Sequence, residues 1–498
     1  MIDYLMIAAV FIPIFSAPIL FIIGRTLGKS INWLVFAILF SITMMFAPLL
    51  LTAHKHPISV EYVWTLTTVR LNFGLLGDGL SVPVIFTMAF VFAFSALHSI
   101  PYIDRRMKMG DIEESGTMYA AYPALYMLYS GSVLGAILAT NLIEFYLFFE
   151  CALIFSWLLI LLYGYGERGR ISLSYFLWTH VGGVSLLVGI LAVSKHIGSF
   201  DISDLWRIEA SSTEPWIGLA ITLGLLVKIG SLGVHGWLPD TYSESPSPVS
   251  AVLGATSVLL GTYSMARLLM PFREVLFAYS GWLELWALLT ILYAGIMALM
   301  QNDTKRLVAY LSMSQMNYCF LGVFTYMKYG VVGAISYAIS HGLAIALLFL
   351  VAGAILYRTG TREMDKLGGL ASRLPSSIIA ALVGFLTIGG VPPTVGFKSK
   401  FILLTGAFER GFMSSPLELT IAILAATLAT AITLAYEFRT VWRVFYGSLP
   451  EYLKGVREAP IPMIIALLAL SSLSLIYGIW PTIITEPIEV YLEHLFGL

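Results

Sequence analysis

The sequence predicts an all-α integral membrane protein of about fourteen transmembrane helices, and three observations carry that prediction. Of the 498 residues, 58% are hydrophobic and only 11% charged, whereas a water-soluble domain carries about 25% charged residues. Apolar stretches of roughly 20 residues, the length that crosses a bilayer, recur along the whole chain. Basic residues concentrate in alternate connections between those stretches. Mean hydropathy is +0.87, so most of this surface has to face lipid or other membrane helices.

The apolar stretches fall near 3–24, 31–52, 79–100, 118–140, 142–163, 172–194, 215–234, 248–270, 277–300, 307–327, 331–356, 377–404, 416–443 and 461–481. The first, MIDYLMIAAVFIPIFSAPILFIIGR, has no basic residue ahead of its apolar run, so it reads as a retained helix rather than a secretory signal. Few connections exceed 20 residues, so residues 1–498 are expected to form one membrane domain without a soluble insert. Of the 28 Lys and Arg residues, 17 follow odd-numbered stretches and 8 follow even-numbered ones. By the positive-inside tendency the odd connections are cytoplasmic and both termini lie outside. The net charge of −1 and the lack of a long basic run give no reason to expect nucleic-acid binding. Cys151 and Cys319 lie in apolar stretches without CxxC spacing. Two thiols fall short of the roughly four ligands that an iron–sulfur cluster needs, so no cofactor or metal is expected in this chain.

With Arg267, Arg439 and Arg443, at the ends of their stretches, counted with the connections that follow, three basic residues remain inside the spans: Lys228, Lys398 and Lys400. Lys228 precedes the glycine-rich break in GLLVKIGSLGVHGWLPD. Lys398 and Lys400 follow a second break in FLTIGGVPPTVGFKSKF. Glycine tolerates unusual dihedrals and proline removes a backbone donor, so helices seven and twelve are predicted to be interrupted. Two broken helices five segments apart suggest a five-helix internal repeat, residues 118–270 and 277–443, flanked by helices in 1–100 and 461–498. Paired interrupted helices are the usual pointer to an ion site near the bilayer midplane.

An ionisable group within the bilayer is costly and is usually functional. Removal from water disfavours an ammonium ion and a nearby carboxylate favours it. A Lys–Glu pair whose separation changes is therefore a switchable proton store, and that role is assigned to Lys228 with Glu150 in FFECALIFSW. The competing reading is a static pair that fixes helix packing. Lys400, just after the Pro–Pro break, is read as lining a cavity, and Lys398, two residues away, as facing the interface. His341 is an isolated histidine on an apolar helix, either a proton relay or a neutral side chain bonded to a carbonyl. Glu144, near its segment start, is read as an access-side or structural charge. Asp78 and Asp303 are read as helix caps. The acidic stretches Asp111–Glu114 and Asp201–Glu214 are read as solvated faces.

HGWLPDTYSESPSPVSAVL, from His235, resembles the HxWLPDAxxxAPTPVSALL signature of antiporter-like subunits found in respiratory complex I, membrane-bound hydrogenases and Mrp-type sodium/proton antiporters. GDGLSVP (77–83), QNDTKRLVAYLS (301–312), SHGLAIALLFLVAG (340–353) and GGVPPTVGFKSKF (389–401) add to the resemblance, which spans about residues 75–450. It implies fourteen core helices, two inverted five-helix repeats and broken helices seven and twelve. It also implies a polar midplane axis for proton transfer through Glu150, Lys228, His341 and Lys400, with Glu144, His235, Lys398, Thr256 and Ser257 as accessories.

The chain departs from the family pattern at four places. Leu259 and Ile345 stand where lysines are common, Gln315 where a histidine is usual, and Gly233 where a proline precedes HxWLP. Part of the central relay is thus expected either to be missing or to run through water, Thr256, Ser257 and Thr262. The chain ends at Leu498, soon after the last stretch, so the long lateral helix of one complex I relative is expected to be absent.

The resemblance implies a subunit of a redox-driven ion-pumping complex in a prokaryotic cell membrane. Its partners would be other antiporter-like subunits and hydrophilic redox subunits carrying iron–sulfur clusters, with nickel–iron or flavin groups. The translocated ion would be the proton or sodium. The alternatives are a subunit of an Mrp-type antiporter, and a structural subunit with a partly vestigial proton path.

Overall fold

The computed structural model describes residues 3–66, 69–110 and 112–496. Two helices come first, α1 (Asp3–Leu27) and α2 (Ile31–Phe46), then an antiparallel hairpin of β1 (Ile58–Leu66) and β2 (Val69–Gly77). The first half continues with α3 (Ser81–Met107), α4 (Gly116–Leu138), α5 (Leu142–Tyr163), α6 (Arg168–Ile197), α7 (Pro215–Ile229), α8 (Leu238–Glu244) and α9 (Ser247–Ser264). The second half holds α10 (Arg273–Leu276), α11 (Ser280–Met300), α12 (Thr304–Phe324), α13 (Lys328–Thr359), α14 (Pro375–Gly389) and α15 (Val395–Met413). It closes with α16 (Pro416–Leu424), α17 (Thr430–Phe445), α18 (Ile461–Ile479) and α19 (Thr482–Phe496). A π-helical turn, Ala425–Ala429, joins α16 to α17.

Among the described residues, ten helical stretches are long and apolar enough to cross a membrane. Two of these, Tyr4–Leu51 and Ser247–Met300, each contain two of the predicted segments. Pro215–Ile229 and Pro375–Gly389 are shorter apolar helices that stop at the predicted breaks. The helix starts follow local chemistry. Asn141 accepts from the amides of Ile143 and Glu144, and Asp303 from those of Lys305 and Arg306, satisfying donors that a helix N-terminus leaves free. Asp78 takes the amides of Leu80 and Ser81 in the same way.

The centre of the bundle is α13, buried from Gly330 to Ile355. It is flanked by α9, α12, α14, α15 and α3. Its glycines permit this packing: Gly333 lies against the backbone of Leu403, and Gly330 against Gly406. Such small-residue contacts let membrane helices approach closely.

Two elements differ from the sequence-based expectation. The hairpin was not foreseen; it is pinned to the bundle where Gly74 N–H donates to Glu144 Oε2 at 3.1 Å and Asn72 donates to Asp201 at 3.0 Å. Asp201 therefore ties elements together instead of facing solvent. In the other acidic stretch, Asp111 lies outside the described residues and Glu114 accepts from Tyr119 at 3.1 Å. The second unforeseen element is α19, which lies across the end of the bundle through Lys328–Glu493 at 2.8 Å and Arg267–Tyr491 at 2.6 Å.

Candidate functional site

The two predicted breaks have the same hydrogen-bond pattern. At the end of α7, Gly230 takes φ +69°, its amide bonds Val227 O at 3.2 Å, and Ser231 N–H reaches Leu226 O at 3.1 Å. At the end of α14, Gly390 takes φ +72°, its amide bonds Thr387 O at 3.3 Å, and Val391 N–H reaches Leu386 O at 2.9 Å. Both are Schellman closures, which require a left-handed residue best supplied by glycine. The signature tryptophan also has a role here. Trp237 Nε1–H donates to the Val227 carbonyl at 3.1 Å, holding α8 against the end of α7.

Lys228 occupies the last turn of α7 and is buried. Its ammonium lies 5.0 Å from the centre of the Phe149 ring, and Glu150, the next residue of α5, is its electrostatic neighbour. No ion pair within 4.0 Å joins Lys228 to a carboxylate among the described residues. Glu150 instead has His180 of α6, with Nδ1 3.0 Å from Oε2. Its other oxygen has no hydrogen-bond partner and rests against Gly183, where a Cβ would come within 2.0 Å of it.

Lys400 is the counterpart beyond the second break. Its ammonium lies 4.3 Å from the Tyr318 ring centre and 3.4 Å from Gln315 Oε1. Glu437 of α17 is its electrostatic neighbour; one carboxylate oxygen lies against Gly389 and the other has no hydrogen-bond partner. Gln315 joins this group together. Its carbonyl oxygen accepts from Tyr337 at 2.7 Å, and its amide donates to Thr433 and Tyr436, both at 3.0 Å.

The structure thus gathers Lys400, Gln315 and Glu437 into one buried group, and buried Lys228, half-buried Glu150 and the half-exposed His180 into a second group. His341 is fully buried on α13, with Nε2 3.3 Å from Ser312 Oγ and Nδ1 without a hydrogen bond. His235 takes the Gly233 amide at 3.3 Å, within the first break. Lys398 is exposed, as its offset from Lys400 predicts. Glu144 sits apart from these groups, holding the hairpin. The predicted central hydroxyls are engaged locally: Tyr242 donates to Ser257 at 2.8 Å, and Thr256 lies 4.0 Å from the Met88 sulfur.

Between the groups, the α9–α13 contact is apolar. Leu259 packs into Gly342 and Ile345 into Gly254, so the two departures from the family lysines fill each other's helix. A polar contact from the first break reaches α12 instead. Ser231, in the first break, donates to Asn317 Oδ1 at 2.7 Å, and Asn317 shares α12 with Ser312, Gln315 and Tyr318. Sequence reasoning missed His180, Asn317 and Glu437. His180 was the only histidine in the sixth apolar stretch, a usable signal. Glu437 lies inside the predicted stretch 416–443, a lone carboxylate in its apolar part, which was the usable signal.

Residues 139–433 match the family described as NADH:quinone oxidoreductase/Mrp antiporter, TM. The chain belongs to that family. It is 29% identical to F(420)H(2) dehydrogenase subunit M of Methanosarcina mazei, over 85% of this chain and 83% of the relative. The fold is similar to a chain of respiratory complex I from Thermus thermophilus with bound NADH, with TM-score 0.83, 26% identity and complete coverage of both chains. It is also similar in fold to a chain of the Mrp complex from a Dietzia species, with TM-score 0.85 and 20% identity, covering 99% of this chain and 97% of the other. The chain is therefore a membrane antiporter-like subunit.

Proposed function

We propose that this subunit carries protons across the membrane within a redox-driven complex, through Glu150, Lys228, His341 and Lys400, with His180, Gln315 and Glu437 completing the two lysine groups. The observation that carries this reading is the repeated arrangement itself. Two buried lysines sit beside two identically closed helix breaks, and each faces a carboxylate on a neighbouring helix without closing an ion pair. A static bridge gains its energy from direct contact. A lysine held near a carboxylate but apart from it can take up and release a proton as the separation changes.

The shared break geometry supports the two five-helix repeats, 118–270 and 277–443, related by inversion. Both termini lie outside a prokaryotic cell membrane, on the charge distribution of the connections. Partner subunits supply the redox centres, iron–sulfur clusters with flavin or nickel–iron, and further antiporter-like subunits adjoin this one. Likeness to the complex I chain over its full length at 26% identity supports this setting, and the 29% identity to a Na(+)/H(+) antiporter subunit A1 supports an Mrp assembly as the alternative. Lys228→Ala and Lys400→Ala in the reconstituted complex are expected to abolish proton movement while electron transfer continues. Unaltered pumping in both would overturn the proposal.

A second reading, a structural subunit with an interrupted path, is favoured by the Leu259–Gly342 and Ile345–Gly254 packing. Continuous ordered water from Lys228 along α12 to Lys400 would exclude it, and a dry gap there would support it.

A further inference from the structure

Other charges here are closed into direct bridges. Arg267 meets both oxygens of Asp78 at 2.8 and 3.0 Å, and Arg362 meets Asp303 and Glu244 at 2.9 Å each. A third cluster is not closed. Arg410 of α15 lies with Glu284 of α11 and Glu418 of α16, their side chains 4%, 1% and 10% exposed. Arg410 Nε is 4.0 Å from Glu284 and Nη2 is 3.8 Å from Glu418, both beyond hydrogen-bond range. Among the described residues Arg410 makes its hydrogen bond to Ser280 Oγ, at 2.6 Å. Nε and Nη1 of Arg410 and Oε1 of Glu284 have no hydrogen-bond partner.

A second observation points to the same place. The Tyr326 hydroxyl is also buried and unpartnered, and it faces Arg410 and Glu284. Tyr326 takes φ +53°, a region that a bulky residue rarely adopts, and its ring rests on Phe277 and Phe324. Phe277 in turn carries the Arg410 guanidinium 3.9 Å from its centre. If neutralising charge were the whole role, contact as close as that of Asp78 and Arg267 would serve better. Separated charges keep their desolvation cost and gain less from each other.

The cluster lies at the end of the bundle opposite Lys305 and Arg306, beside the exposed turn Phe412–Ser414. Glu418 is nearest that surface and bonds the Ser415 hydroxyl. A single helical run joins it to the Lys400 group. Along Pro416–Phe445 come Glu418, the π-helical turn, Thr433 and Glu437. In the turn, Ala425 O accepts from Tyr318 at 2.8 Å and from Thr430 at 3.2 Å, and Tyr318 is the ring beneath Lys400. Such turns disturb the regular ladder and recur at functional sites.

We propose that Glu284 is the proton-exchange group linking the Lys400 site to the aqueous face beside the α15–α16 turn, with Arg410 alternating between Glu284 and Glu418. The inference rests on Lys400 handling protons. A proton leaves the Lys400 ammonium, crosses through water and forms an O–H bond on the Glu284 carboxylate. Neutral Glu284 no longer holds Arg410, which turns to Glu418. The O–H bond then breaks to water at the outer face, the carboxylate is restored and Arg410 returns. One proton enters and one leaves. The charged and titratable groups facing Glu284 are Arg410 from α15, Glu418 from α16 and Tyr326 from the turn after α12.

The test uses membrane vesicles holding the assembled complex, with pH varied separately on the two faces and protons moved per electron-transfer turnover as the readout. Glu284→Gln is expected to lower that ratio at least tenfold and to remove its dependence on pH at the α15–α16 face alone. Glu284→Asp should retain most of the pumping with a shifted profile on that face. Wild-type pumping in Glu284→Gln, alongside loss in Lys400→Ala, would overturn the port and leave the Lys400 reading standing. Wild-type pumping in both variants would overturn both. Should Glu284→Gln fail to assemble, an unshifted profile in Glu284→Asp would overturn the port.

Discussion

Replacing Gly183 with alanine perturbs the first lysine group without removing any ionisable side chain. The added Cβ would lie 2.0 Å from Glu150 Oε1, where ordinary contact begins at 3.4 Å, so the carboxylate must retreat by about 1.4 Å. It sits at the end of a flexible side chain, so it yields before the α6 backbone does. The 3.0 Å contact with His180 then stretches out of range. A hydrogen bond to a charged group contributes about 1.5–3 kcal/mol, which corresponds to roughly a 10- to 150-fold change in how often the carboxylate holds its place. Alanine also favours the helix by about 1 kcal/mol over glycine, so assembly and thermal stability should stay close to wild type. Measured in reconstituted vesicles, protons moved per turnover should fall at least tenfold in Gly183→Ala, as in Glu150→Gln, with electron transfer retained. Wild-type pumping in Gly183→Ala, beside a Glu150→Gln that does not pump, would refute the claim that the carboxylate must stand where the structure puts it.

Other perturbations separate the parts. Trp237→Phe removes the bond to Val227 O and should cost about 1 kcal/mol, seen as faster amide exchange at Gly230–Val234. Asp78→Ala strands Arg267 in the interior and should cost about 3–5 kcal/mol, read as a lower unfolding temperature, with the proton-to-electron ratio of the surviving complex unchanged. Asn317→Leu leaves the Ser231 hydroxyl without its acceptor, a loss of about 1–3 kcal/mol. It should lower pumping several-fold if α12 links the two lysine groups, and leave it unchanged if α9 and α13 do.

The fold class was legible because lipid imposes a one-dimensional rule: a span is an apolar run of sufficient length. The breaks were legible because glycine and proline act locally, and Gly230 and Gly390 adopt the positive φ that their positions suggested. The hairpin was not, since its anchor is the distant Glu144. Nor was α19, whose polar residues meet partners at Arg267 and Lys328, far away in sequence. Within the site, Lys228 and Lys400 stood out as charges in apolar surroundings. Their neighbours did not, because His180, Asn317 and Glu437 become meaningful only when separate helices pack. The replacements at Leu259 and Ile345 were visible one by one, but that each fills a glycine on the opposing helix needed the three-dimensional contact.

The central claim is that the Lys228 amine changes its protonation during turnover, and isotope-edited infrared difference spectroscopy of labelled lysine in the working complex tests it most directly. The account predicts bands for both ammonium and neutral amine that interconvert with electron transfer and vanish in Lys228→Arg. A Lys228 that stays an ammonium ion in one environment while the complex pumps at full rate would contradict it.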